Sequence, residues 1–590
     1  MLVMPGRRKS REVLGLPGGL PLAVALRRTA AGGYDLEAFG ADLFAGTVVG
    51  IVALPLSMAL AIAVGAPPQH GLYTAIVAGT VAALTGGSKF QVTGPTAAFV
   101  VVLGPIVSRF GLSGLLTAGL MAGLLLVAMG TARLGRLVEF IPHPVTTGFT
   151  AGIATVIATL QLKDVLGLHV ARMPERFPDK VAALWAARGS ASLVECGVAA
   201  ATLALLLLAP RLTRRVPAPL VAIGTVTFAA WALGVPADTL GTRFHTTIGG
   251  HEVAGIPPLP PLPQLPWGDG PLTFRLVEKL LPSAFAIAML GAIESLLSAV
   301  IADGMTGKRH DPDAELVGQG LANIVAPFFG GIAATGALAR TATNIRAGAR
   351  SPLAAIVHAM VVLACILLLA RVVSYVPMAS LAALLLVIAW NMSELRHVGH
   401  VLRVAPKSDV FVLVTCYVLT VVFDMVLAVG VGIVLAALLF IGRMAELTQA
   451  RLLQQGDDEE SRRLLPRGVA FYEIRGPLFF GAAQNAMSAL GAIAADVQVV
   501  ILGLGRVPVI DATGLVALES ALERLRRARK FVIVAGPLPE PRRIFEKAEL
   551  EASLDHVLFA DDVEQAQQIA IDLVTLNPNW GAALPPVAAA

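Results

Sequence analysis

Apolar side chains fall in long blocks along this chain. Runs near residues 43–64, 70–86, 112–132, 141–162, 191–209, 216–235, 280–302, 315–329, 352–370, 376–392, 408–424 and 425–442 carry few charges. A bilayer-crossing helix needs about 20 apolar residues, so these runs predict spanning helices. Two further apolar pieces, 95–108 and 336–348, are too short to cross and bring the count to fourteen segments. From Arg467 the period becomes two and then alternates with helical runs. Val469–Ile474, Val497–Leu504 and Phe531–Ala535 predict strands, while Gly514–Arg526, Glu540–Glu549 and Val563–Val574 predict helices, together a small α/β domain. The expected organisation is an N-terminal segment 1–34, a membrane body 35–445, an α/β domain 446–575 and a tail 576–590.

Composition agrees with that division. Hydrophobic residues make up 56% of the 590 residues and charged ones 14%, against about 25% charged in an ordinary soluble domain. Residues 446–590 hold 14 basic and 19 acidic side chains, leaving 31 basic and 21 acidic for the first 445. The basic residues of the body sit in short loops: Arg133/Arg136, Arg211/Arg214/Arg215, Lys308/Arg309, Arg346/Arg350, Arg396/Arg403/Lys407 and Arg443. This placement orients a membrane protein with those loops inside, and no basic stripe for nucleic acid is present. With fourteen segments, both termini are expected in the cytoplasm. The proline-rich stretch Gly255–Gly270 is expected to be an extended outer loop. Met1–Ala31 is basic without a long apolar core, which reads as a cytoplasmic leader and not a signal peptide. Cys196, Cys365 and Cys416 have neither disulfide nor metal-ligand spacing.

An internal repeat carries more information. Gly71–Pro95 (GLYTAIVAGTVAALTGGSKFQVTGP) and Gly320–Ala337 (GLANIVAPFFGGIAATGA) share the order Ile-Val-Ala, Gly-Gly, Thr-Gly. Arg136–Pro142 and Arg371–Pro377 follow at similar distances. Seven segments per half invert the second copy relative to the first, and paired interruptions of this kind point to a secondary transporter. Val92–Pro95 predicts a few extended residues before a helix that starts with Pro95 at its first position. Ala334–Gly336 predicts the same in the second half. Two half-helix N-termini meeting at the midplane would make an anion site; the alternative is two glycine-proline kinks in ordinary helices.

Few ionisable groups lie at membrane depth. Glu294 is the only one in the run 280–302, and Ser298 lies one turn further on. A carboxylate at that depth costs several kcal/mol, so it is expected to face a cavity and act, here as a proton carrier. The alternative is a structural hydrogen-bond acceptor. Arg340 follows Thr335 closely and would strengthen an anion site, unless it pairs with a carboxylate such as Glu294. Lys89, Lys163/Asp164 and Asp424 read as boundary charges. No nucleotide-binding loop, nucleophile elbow or metal cluster argues for an enzyme, and no cofactor is expected.

Specific motifs identify a family. Asp42–Ala61 (DLFAGTVVGIVALPLSMALA), Thr93–Phe99 (TGPTAAF), Gly291–Asp303 (GAIESLLSAVIAD), Ala339–Ala349 (ARTATNIRAGA) and Val507–Leu515 (VPVIDATGL) resemble the SulP anion transporters, which end in a cytoplasmic STAS domain. Within the family, AMLGAIESLL, ELVGQGLANIVAPFFGG and AWNMSE look most like the bacterial C4-dicarboxylic acid transporters. The resemblance implies an all-α polytopic body of two inverted seven-segment repeats, forming core and gate domains, plus an α/β STAS domain. It also implies a homodimer in the bacterial inner membrane and an anion pocket between the third and tenth segments. Carried over by position, the substrate residues are Leu56, Leu60, Gly94, Pro95, Thr96, Thr335, Gly336, Ala337, Ala339 and Arg340, with Glu294 and Ser298 for coupling to H+ or Na+. Many relatives have glutamine after the first-segment proline; here Leu56 follows Pro55, a less polar wall that suits an organic acid. The tail resembles anti-sigma-factor antagonists but has Ala512 where their phosphorylated serine follows the loop aspartate, which leaves Thr513 as a poorer candidate. A soluble partner of that domain is the other expectation.

Energetics limits the mechanism. Moving a dicarboxylate inward against about 100 mV costs about 4.6 kcal/mol, which alone would hold the inside about three orders of magnitude below the outside. Uptake therefore needs co-transported cations or exchange. Proton-coupled uptake of C4-dicarboxylates such as succinate, fumarate or aspartate is the expected activity. A sulfate, bicarbonate or chloride exchanger, a sodium symporter, and an anion-sensing receptor that signals through the tail are the alternatives.

Overall fold

The computed structural model describes residues 22–576, apart from 139–141, 172, 175, 213–215, 249–250, 269, 424, 447, 455–467, 480–482, 485, 488–489, 491–492, 494–495 and 551–554. The basic residues before 22, Arg214/Arg215, Asp424 and the tail from 577 lie outside the described residues. The chain divides into two compact units, Met1–Ala436 and Ala437–Ala590.

The first unit is almost wholly helical. Its elements are α1 (Val24–Ala31), α2 (Leu36–Val64), α3 (Pro68–Thr85), β1 (Thr93–Gly94), α4 (Ala97–Thr131), α5 (Gly135–Val138), α6 (His143–Val165), α7 (Phe177–Ala186), α8 (Leu193–Leu212), α9 (Ala218–Ala232) and α10 (Leu240–Arg243). Then come the hairpin β2 (His245–Ile248) and β3 (His251–Ala254), α11 (Phe274–Thr306), α12 (Pro312–Val325), β4 (Thr335–Gly336), α13 (Leu338–Arg346), α14 (Leu353–Val373), α15 (Met378–Ser393), α16 (Leu395–Val404) and α17 (Lys407–Val422), while α18 (Met425–Glu446) begins in this unit and ends in the next. Among the described residues each of the fourteen apolar segments falls mainly on a helix, and eight helices are long and apolar enough to cross a membrane.

One boundary differs from expectation. The short piece 95–108 runs on into its neighbour as α4, whose 35 residues would span roughly 52 Å, more than the bilayer core of about 30 Å. Gly111, at φ 68° and ψ −172°, breaks it in two. Only glycine adopts that backbone without strain. The counterpart in the second half, Gly348 at φ 94°, separates α13 from α14.

The helices sort into two bundles. α2, α3, α4, α11, α12, α13 and α14 pack mainly on one another, whereas α6 packs with α15 and α17, and α8 with α9 and α15. Small residues permit the close approaches: a Cβ at Gly123 or Gly320 would strike the facing backbone of α12 or α4. Such contacts are the usual basis of helix association in lipid.

In the second unit, β5 (Gln449–Gln454) pairs antiparallel with β6 (Val469–Arg475), and β6, β7 (Val499–Arg506), β8 (Phe531–Ala535) and β9 (Val557–Ala560) run parallel in that order. Alternate side chains bury on opposite faces. Tyr472, Leu502 and Val534 belong to one core, and Val469, Ile501 and Ile533 to the other. Helices Ala512–Arg527 and Val563–Leu576 therefore cover different faces. β5, largely polar (QARLLQ), and the four-residue β9 are edge strands and escaped the sequence reading. Asp511, expected only as a loop residue, caps helix Ala512–Arg527 by accepting from Gly514 N at 2.7 Å.

Candidate anion site between two half-helices

The two predicted interruptions meet. β1 and β4 form a two-residue antiparallel pair, with Thr93 opposite Gly336 and Gly94 opposite Thr335, and Ala337 N donates to Val92 O at 2.9 Å. Each strand leads directly into a helix start: Thr96 is the N-cap of α4 and Ala337 that of α13, both with extended backbone. Pro95 therefore precedes the N-cap and does not occupy the first helical position.

Buried polar side chains hold this pair in place. The Glu315 carboxylate, 2% exposed, accepts from Gly87 N and Ser88 N at 2.9 Å, Gln91 Nε2 at 2.8 Å and Gln319 Nε2 at 3.1 Å. Gln319 Nε2 also donates to Thr93 Oγ1 at 2.6 Å. In the second half Asn323 clamps Ala334 through both its amide groups at 2.8 Å. Ser295 accepts from Gly336 N at 3.0 Å and lies 2.7 Å from Thr335 Oγ1. Ser298 donates to Thr341 Oγ1 at 3.3 Å, so it fastens α11 to α13. Backbone groups at this depth need internal partners, and these amides and hydroxyls supply them.

Arg340 is the centre of the arrangement. It is the third residue of α13, 2% exposed, and donates through Nη2 to the Pro95 carbonyl. Its Nε and Nη1 groups have no partner, and among the described residues no ion pair joins it to Glu294, contrary to the alternative weighed above. A Cβ at Gly94 would run into its guanidinium, and one at Gly336 into Gln91. Neither N-cap side chain bonds its own helix start. The Thr96 hydroxyl donates instead to Glu294 Oε2 at 2.8 Å, leaving both helix ends open to an anion. Leu56 is half-buried and Leu60 fully buried on α2, a helix that touches both α4 and α13, while Ala339 is exposed.

A cavity of about 820 Å³ follows α11 from Ile293 and Leu297, beside Glu294 in the chain, to the basic residues Arg136, Lys308 and Arg309. Glu315, Gln91, Gln319 and His358 were missed from sequence. His358 is wholly buried on α14, close enough to Arg340 for the arginine's charge to act on it. Only the isolation of His358 in an apolar run could have signalled it. No cluster of His, Cys, Asp and Glu among the described residues could hold a metal ion.

The sulfate permease family model matches residues 39–416, the part that carries both half-helices. The chain belongs to the sulfate permease family. A STAS domain matches residues 465–566, which covers the sheet from β6 to β9. This sulfate permease-family chain is 40% identical to the putative sulfate transporter YvdB of Bacillus subtilis, over 88% of its length and 95% of the relative's. It is 30% identical to the bicarbonate transporter BicA of Picosynechococcus, over 86% and 90%. Among solved structures, the transmembrane domain of a cyanobacterial BicA covers 68% of the chain at 29% identity and a TM-score of 0.57. Solute Carrier 26 member A9 covers 94% at a TM-score of 0.78 and 17% identity, a likeness of fold. The protein is thus a multi-pass membrane protein of an anion-transporter family, with an α/β STAS domain at its C-terminal end.

Proposed function

We propose that the protein binds a small anion against Arg340 and the open N-termini of α4 and α13, and carries it with protons held on Glu294. The supporting observation is a fully buried arginine without a carboxylate partner, with two unpartnered N–H groups beside two uncapped helix starts. Glu294 lies close enough for its charge to act on Arg340 but makes no ion pair with it, so the buried cation is only partly compensated; a bound anion removes the remaining cost. Gly94, Pro95, Thr96, Thr335, Gly336, Ala337 and Ala339 would frame the anion, with Leu56 and Leu60 contributing the apolar wall.

Glu294 supplies the coupling. A carboxylate next to a bound anion repels it unless protonated, so anion and proton bind together. For a dicarboxylate, one proton lowers the cost of entry against 100 mV from about 4.6 to about 2.3 kcal/mol, and two remove it. The first bundle would move the anion relative to the second, with the cavity along α11 as the access route. Both termini then face the cytoplasm of a bacterial inner membrane, and the protein works as a homodimer without enzymatic activity.

C4-dicarboxylate uptake is the reading that the apolar wall at Leu56 supports. Transport of sulfate or bicarbonate is the second reading, supported by the names of the relatives. Uptake of labelled succinate into proteoliposomes, with an inward proton gradient and with a sodium gradient, tests both. Gradient-driven succinate entry competed by fumarate is expected. Sulfate or bicarbonate flux without succinate flux would overturn the dicarboxylate reading, and drive by sodium alone would overturn proton coupling.

A further inference from the structure

A second cavity of about 250 Å³, which shares Asp303, Lys308, Arg309 and His310 with the mouth of the cavity along α11, gathers cations from three separate elements: Arg28 of α1, Lys89 of the turn after α3, and Lys308 and Arg309 of the α11–α12 turn. Among the described residues none of the four pairs with a carboxylate. Arg28 Nη1 donates to the Arg309 carbonyl at 2.9 Å, and Lys308 Nζ lies over the Phe90 ring, 5.3 Å from its centre. Lys89 feels the charges of both Lys308 and Arg28, which oppose its own. The one acidic group in the wall, Asp303, is committed elsewhere. Its carboxylate takes His310 N at 3.0 Å and His310 Nδ1 at 2.8 Å.

That commitment fixes the His310 ring in the same wall. Its side chain is 4% exposed, yet Nε2 has no partner. Several converging cations, joined by His310 Nε2 when the ring is protonated on both nitrogens, match the surface of a tetrahedral oxyanion, which takes hydrogen bonds on every oxygen. The volume suits one phosphate group with its substituent.

We infer that this cavity is a phosphate-binding site, distinct from the transport site, that takes inorganic phosphate or the phosphodiester headgroup of an anionic lipid. Its ligand ties three elements together. α1 already docks on the end of α3 through Ala23 N to Thr85 O and Ala25 N to Gly86 O. The turn that carries Lys89 leads within four residues to Thr93 and so to β1. Occupancy therefore braces the strand pair on which both half-helices depend. Anionic lipid attracts such juxtamembrane basic groups in the same way.

Thermal unfolding of the full-length protein tests the site, because a ligand that binds only the folded state raises the midpoint. The probes are inorganic phosphate in detergent, and nanodiscs of phosphatidylcholine alone or with phosphatidylglycerol. A rise of several degrees with phosphate, or with phosphatidylglycerol alone, is expected in the wild type and assigns the free ion or the lipid respectively. Lys308→Gln, an exposed position that should fold normally, is expected to lose most of the rise, and Lys308→Arg to restore it. The same rise in Arg340→Gln would separate this site from the transport site. No rise in the wild type, an equal rise in Lys308→Gln, or a rise lost in Arg340→Gln would overturn the proposal.

Discussion

Glu294 and Glu315 are both acidic side chains set deep in one helical bundle, and they are used in opposite ways. Glu315 receives four hydrogen bonds, two from backbone N–H groups and two from buried amides. Every lone pair direction is served, so the group is a fixed acceptor that shapes the turn 87–91 ahead of β1. Glu294 receives one, from the Thr96 hydroxyl, and is only half-buried. A carboxylate with a single neutral donor keeps the freedom to gain and lose a proton. The count of donors separates the brace from the working group.

Substitutions at the two positions should therefore diverge. Glu315→Gln strands backbone and amide donors and should destabilise the protein by about 3–5 kcal/mol, read as a collapse of the monodisperse peak and a lower unfolding midpoint. A stable Glu315→Gln protein would erase the contrast. Arg340→Gln should leave folding intact, or raise the unfolding midpoint because a buried cation without an ion-pair partner is gone. Its anion uptake should fall by at least about 100-fold, the worth of two charge-assisted hydrogen bonds. Glu294→Gln should fold as the wild type does and still bind anion, while uptake loses its dependence on the proton gradient. Retained gradient-driven accumulation in proteoliposomes would remove the coupling role. Thr96→Val deletes the single bond to Glu294 and should change uptake by about fivefold, with the pH profile displaced rather than abolished.

Much of this was legible from the order of residues. The fourteen apolar segments follow from hydropathy, since lipid admits little else at that length. The paired Thr-Gly steps gave both interruptions, and Arg340 and Glu294 stood out as charges in apolar surroundings. Three of the tail's strands showed in its alternation. Other features left little local trace. Pro95 looked like the first helical residue, but the N-cap is Thr96, two residues beyond the Gly94 which that reading implied, and its hydroxyl turns to Glu294. Ser298 looked like a partner of Glu294 on one helix face and instead binds Thr341.

Sequence by itself determined which segments enter the membrane, where two helices break, and which charges are stranded there, because each of these depends on the water-to-lipid transfer of a local stretch. Tertiary structure alone decided what those charges do. Glu315 meets donors more than two hundred residues away in the chain, and Arg340 reaches the carbonyl of Pro95 across the same distance. Whether a buried polar group is satisfied or left open is set by partners that folding brings together from the two halves, and no local pattern carries that information.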